Sequence, residues 1–356
     1  MRKVVVFPFF LLTLHPDSYM RMKKKLYLII CLVAVILCSC SKEDNDDRTP
    51  ILVDEISYNI LTTESAQQFF RQEKLHEQIS SLFVDMCMHK AGYPYNDWLK
   101  QAESSMKNPD PSTIALVDSI AHLQQNTLRA LGIKLPIAKQ TNVIDLTMEA
   151  FGNALAFTSG TRIYADLTRL HEYERERPGM AEMVMWHEMW HVISRNNPDL
   201  RRKMYSLIGF NVLPTEIEIP AEVKKHILCN PDVERHDSYA TFNINGKSID
   251  CMLLLYAEED EYKPGMELKN YLSTTRGYWL LALDSQTHKP YRDEAGKWVV
   301  YNCTEASDFD KVMSGGNTSY CDDPEECMAD NFSYAMMNNT SLPNQKLLQD
   351  IRALLK

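Results

Sequence analysis

One run constrains this chain more than any other: residues 180–195, MAEMVMWHEMWHVISR, with no breaker between Gly179 and Asn196-Asn197-Pro198. Met183, Trp186, Trp190 and Ile193 recur at helical spacing, which predicts a buried or half-buried helix. His187 and His191 stand four apart, so they stack on one face, with Glu188 next to the first. Two imidazoles so placed can bind one tetrahedral Zn²⁺ while Glu188 activates a metal-bound water. The competing reading is two histidines packed in an aromatic core with Glu188 in solvent. The motif alone leaves both open.

The N-terminal stretch reads as targeting rather than fold. Lys23, Lys24 and Lys25 precede an apolar run from Leu26 to Leu37, too short for a membrane span of about 20 residues. Leu37-Cys38-Ser39-Cys40 resembles a bacterial lipobox, with Cys40 as the residue to be lipidated. Residues 1–39 are then a signal peptide, with Met22 or Met20 a better start than Met1. Residues 40–50, acidic from Glu43 to Asp47, are a tether of the kind that exports lipoproteins to the surface of Bacteroidota. Residues 40–356 hold 32 basic and 47 acidic side chains. That balance argues against nucleic acid or an anionic membrane as the main partner. Six cysteines lie beyond the lipobox (Cys87, Cys229, Cys251, Cys303, Cys321 and Cys327). None forms a CxxC pair, and the sequence does not choose among their possible disulfides.

Further along, Thr63 to Lys90 reads as one helix, carrying Phe69, Phe70, Ile79, Leu82, Phe83 and Met86 at roughly helical spacing. Pro109-Asp110-Pro111-Ser112 caps a second helix, stopped by Gly132, with Leu116, Ile120, Leu123, Leu128 and Leu131 along one side. These predict an N-terminal helical layer over 51–135. Residues 143–147, 155–158 and 162–165 read as strands, the last two paired across Ser159-Gly160. Residues 210–315 are again strand-like, and two helices close the chain, one from Pro324 and one around Leu347.

A zinc site on two histidines needs a third ligand. The pattern HExxHxxGxxH fails, because Ser194 and Asn197 occupy the required Gly and His positions. Asp323-Pro324-Glu325-Glu326-Cys327-Met328-Ala329-Asp330 offers a carboxylate instead. Pro324 suits the first position of a helix, which puts Glu326 and Asp330 one turn apart on one face. Glu326 also fits the third position of a capping box on Asp323, which needs no metal. Glu325 is the ligand if the register is off by one.

On HEMWH, PEECMAD and the lipobox, the chain resembles gluzincin metallopeptidases, and within them zinc-binding lipoproteins of Bacteroidota. The resemblance covers residues 140–340 loosely and is specific only at those short runs. It implies an α+β fold: a zincin-like catalytic domain over 136–356, containing the strand-rich insertion 210–315, behind the N-terminal helical layer. It also implies one Zn²⁺ on His187, His191 and Glu326, Asp330 orienting a ligand histidine, and Glu188 as general base on a peptide or protein substrate. His236 or Tyr239 is the candidate oxyanion donor, and Ser159 to Ala165 the edge strand that aligns an extended substrate. Tyr164, Arg162 and Arg195 are candidates for the cleft wall. The implied place is the outer membrane, cell-surface exposed and held by the lipid on Cys40. One departure stands out, the 134 residues between His191 and Glu326, more than in compact gluzincins. The rival readings are a non-catalytic surface lipoprotein that retains the fold, and cleavage of an amide or ester in a cell-wall or glycan-linked substrate.

Overall fold

In the computed structural model, which describes residues 51–53, 55–73, 75 and 79–356, helices and strands follow one another in blocks. Strands β1 (Ile51–Val53) and β2 (Tyr58–Ile60) precede helices α1 (Thr63–Phe70), α2 (Ser81–Cys87), α3 (Tyr95–Ser104) and α4 (Pro111–Leu131). Next come β3 (Leu135–Ile137), β4 (Thr141–Asp145), β5 (Ala156–Ser159) and β6 (Arg162–Ala165), then α5 (Leu167–Glu176), α6 (Met180–Asn196) and α7 (Pro198–Leu207). Residues 210–315 hold β7 (Asn211–Val212), α8 (Ala221–Lys224), β8 (Ser238–Ile244), β9 (Lys247–Leu255), β10 (Tyr278–Leu283) and β11 (Val300–Asn302). Helices α9 (Phe309–Val312), α10 (Pro324–Met336) and α11 (Gln345–Leu354) follow.

The central sheet runs β2-β4-β6-β5, parallel except for β5, which is antiparallel at the edge. Its side chains alternate between two cores, as the two-residue period of a strand requires. Val143, Ile163 and Ala165 join the core that holds Trp186 and Trp190, whereas Ile144, Phe157 and Tyr164 join one built on Phe70, Phe83 and Trp98. The sheet is thus covered on both faces. This corrects the expected N-terminal layer over 51–135: β2 is a strand of the central sheet, β1 pairs with β3, and the helices of that stretch divide between the two cores.

Two helix expectations change. The run from Thr63 to Lys90 is not one continuous helix: α1 ends at Phe70 in a turn at residues 71–72, and α2 starts afresh after Ser80, which is extended and whose hydroxyl accepts from Phe83 N at 3.2 Å while donating to Ile227 O at 2.8 Å. A local cap and a long-range tie override the periodicity. Helix α4 starts and stops where expected, with a capping box on Asp110 and left-handed Gly132 at its end. Its buried face, however, is Val117, Ile120, Gln124 and Leu128, while Leu123 is 46% exposed.

The expected strands of 210–315 form an antiparallel sheet, β7 to β11 in order. Its β8–β9 hairpin turns on Asn245-Gly246, both at positive φ, as a two-residue hairpin needs. One face (Phe242, Leu253, Leu280) packs into the core around α6, and the other (Met252, Leu254, Leu281) makes a smaller cluster. Helix α10 lies along α6, with Phe332 against Trp186 and Trp190 at ring separations of 6.0 and 5.7 Å.

Among the described residues, no helix is long and apolar enough to cross a membrane. The signal segment 1–39, Cys40 and the tether 40–50 lie outside the described residues. Cys87, Cys251, Cys303 and Cys321 are buried thiols.

Candidate metal centre

Helix α6 is buried from Met185 to Ser194, so the two histidines do not face solvent. The β5 edge, helix α10 and the segment 230–234 meet them there. His187 Nε2 lies 2.9 Å from Glu326 Oε2, and His191 Nε2 lies 3.7 Å from the same oxygen. The other ring nitrogens are each fixed by a carboxylate: His187 Nδ1 by Asp330 at 2.9 Å and His191 Nδ1 by Glu325 at 3.0 Å. Both imidazoles therefore turn the same nitrogen toward Glu326. That is how histidine ligands are oriented around an ion.

His187, His191 and Glu326 could hold a metal ion, their ligand atoms lying within 4.8 Å of one another. Ligands at the corners of a zinc tetrahedron stand roughly 3.3–3.4 Å apart, for bonds of about 2.0–2.1 Å. The donor separations here bracket that figure. His191 Nε2 is buried without a hydrogen-bond partner, and Glu326 is fully buried. An orphaned acceptor facing a buried carboxylate is costly unless a cation lies between them, so the residues fit a metal. Asp323 caps Glu325 N, and Glu326 turns to His187 and to Asn230 Nδ2 at 2.8 Å. The capping-box alternative for Glu326 is not realised.

Glu188 points elsewhere. Its Oε2 accepts from Thr158 Oγ1 at 2.7 Å, on β5. A second group that could hold an ion joins Glu188, His191 and Asp232. Burial is the main cause that raises both Glu188 and Asp232, the latter to about 8. Glu325 behaves oppositely: burial works against its charge, but the His191 hydrogen bond and charge, with Arg201 and Ser194, hold it down to about 2. Tyr205 also donates to it.

The expected edge strand is misplaced by one strand. β6 (Arg162–Ala165) lies between β4 and β5, and the edge is β5, Ala156–Ser159. Two outward N–H groups on that side, one on β5 and one just beyond it, are already taken. Thr158 N donates to Asp232 Oδ1 at 2.6 Å and Gly160 N to Glu234 Oε1 at 2.9 Å. Arg195 braces both, reaching the Asp232 carbonyl at 2.9 Å and Glu234 at 3.0 Å. Arg162 instead pairs with Glu73, and Tyr164 is buried flat against Phe157.

The two candidate oxyanion donors are not at the centre. Tyr239 stacks on His288 at the antiparallel sheet of β7 to β11, with ring centroids 4.4 Å apart. His236 lines a neighbouring cavity, and burial, then Lys224, push its imidazole down to about 4. No described contact joins either residue to His187, Glu188, His191 or Glu326. Tyr320 does stand there, its ring over His187 at 5.9 Å and its hydroxyl 3.3 Å from Asn230 Nδ2. Sequence reasoning missed Tyr320, Asn230, Asp232 and Thr158, which carry no motif, and it named Glu325 only as a fallback ligand. The adjacent pair Glu325-Glu326 was the one signal available. Compared with protein-family models, with curated proteins and with solved structures, the chain matches none of them.

Proposed function

We propose that this chain is a zinc-dependent hydrolase of the gluzincin type, cutting peptide bonds with Glu188 as general base. The observation that carries the reading is the division of labour on α6 and α10: two imidazoles, each held by its own carboxylate, converge on Glu326, while Glu188 stays off that set. Two nitrogens and one carboxylate oxygen suit zinc better than calcium or magnesium, which favour oxygen ligands. When bound, the metal supplies Lewis-acid activation of a water and a carbonyl. Glu188, oriented by Thr158, takes the proton of the attacking water and returns it to the leaving amine. Tyr320 is the nearest candidate to donate to the carbonyl oxygen as charge develops on it. The lipobox supports export and anchoring through Cys40 at the outer membrane, with a peptide or protein as partner.

A second reading, a zinc-binding surface lipoprotein without catalysis, draws support from Asp232 and Glu234. They occupy the amides of Thr158, on β5, and of Gly160, just beyond it, which an extended substrate would meet. The pair Glu326→Ala and Glu188→Gln decides. On the hydrolase reading, wild type binds one zinc and cuts a broad peptide library. Glu326→Ala loses the metal, while Glu188→Gln keeps it and loses roughly 10²–10⁴-fold in rate. Full zinc binding with no cleavage by wild type would leave the second reading.

A further inference from the structure

A cavity of about 310 Å³ adjoins the metal centre, from which Asn230 separates it. That is the small end of the range for ligand pockets, roughly 300–1,000 Å³. Its walls are apolar on several sides, from Ile79, Ile227, Leu253 and Leu255. Its charged groups are not equivalent. Asp323 is committed to Glu325 N, and Glu234 to Gly160 N and Arg195. Glu216 and Lys224 are exposed. That leaves Asp322, which is 1% exposed: its Oδ2 takes a long bond of 3.4 Å from Asn230, and its Oδ1 has no partner. Asp322 is thus a buried acid with a bare oxygen, in the wall of a cavity that is part apolar and part polar, and among the described residues no ion pair supplies its counter-charge.

We propose that this cavity takes an aliphatic chain ending in a cation, the side chain of a lysine or arginine, with Asp322 as its counter-charge. The apolar walls accept the methylene stem, and Asp322 meets the head. Asn230 donates both to Asp322 and to Glu326, so the cavity stands one side chain from the metal centre. If the hydrolase reading holds, and only then, the cavity selects a basic residue adjoining the bond that is cut.

The test is direct binding to the full chain by calorimetry, with n-butylguanidinium as probe and 1-pentanol as its uncharged counterpart. n-Butylguanidinium should bind at least about tenfold tighter than 1-pentanol, and Asp322→Asn should remove that advantage. Lys224→Ser, on the exposed side, should tighten n-butylguanidinium by roughly two- to threefold, which an unfolded protein would not do. Equal binding of the two probes, or binding indifferent to both substitutions, overturns the proposal. A peptide series with lysine or norleucine beside the cut bond separates the two claims. Cation binding without any cleavage sinks the hydrolase reading and leaves the cavity assigned. Cleavage that ignores lysine, with no competition by n-butylguanidinium, does the reverse.

Discussion

Glu325 and Glu326 show how much one step along a helix decides. Successive helical residues point about 100° apart. Glu326 therefore reaches both histidines, while Glu325 reaches only the far side of His191, where Ser194 and Tyr205 also donate to it. His236 makes the opposite case, a histidine that stays neutral because it is buried rather than because it is bound. Its folded value, about 4 against an ordinary 6.5, means the unfolded chain binds the extra proton first on acidification. The stability this group contributes is complete above pH 6.5 and is lost as pH falls from 6.5 toward 4. His236→Gln should flatten that limb, by on the order of 2 kcal/mol, in denaturant titrations at pH 7 and pH 4.5. An unchanged wild-type-minus-variant difference across that window would show that His236 does not titrate this way.

At the scale of elements, the seam between α6 and α10 sets the site, and Phe332 fills it. It is fully buried against two tryptophans, so Phe332→Ala should cost about 3–5 kcal/mol by denaturant unfolding. Metal affinity should fall with it, since Glu326 rides on α10; a variant that keeps full affinity would uncouple packing from ligand placement. Both helices were legible in the sequence because their signals are local: the apolar spacing of 180–195, and Pro324 at a helix start. The β5–β6 pair was legible for the same reason. What escaped depends on pairing at a distance. Ser80, where α2 starts afresh, is tied to Ile227, and Asp232 reaches Thr158 across 74 residues. Nor does strand periodicity say which strand ends a sheet, so the edge was placed one strand too far along.

For the whole molecule, the balance of buried charge matters most. Glu188, Asp232, Asp322, Glu325 and Glu326 are all buried around two histidines, with Arg195 and Arg201 as the neighbouring cations. Such a centre repels itself unless an ion or protons join it, so a metal bound there would be a large part of folding stability. Chelation should lower Tm by roughly 5–15 °C, taking a ligand present near a thousand times its Kd. Restoring zinc should reverse the shift; a Tm indifferent to chelator would mean that the carboxylates are neutralised by protons alone.

The carboxylates on the outer side of β5 have one more consequence. A strand edge with bare amides is a template on which another chain can stack, the first step toward aggregation. Here Asp232 and Glu234 blunt it as acidic gatekeepers, and both come from the stretch between residues 210 and 315. That stretch also buries one face of its own sheet in the core around α6. That stretch is therefore not a removable decoration. A version trimmed of it would expose a sticky edge beside the candidate metal centre.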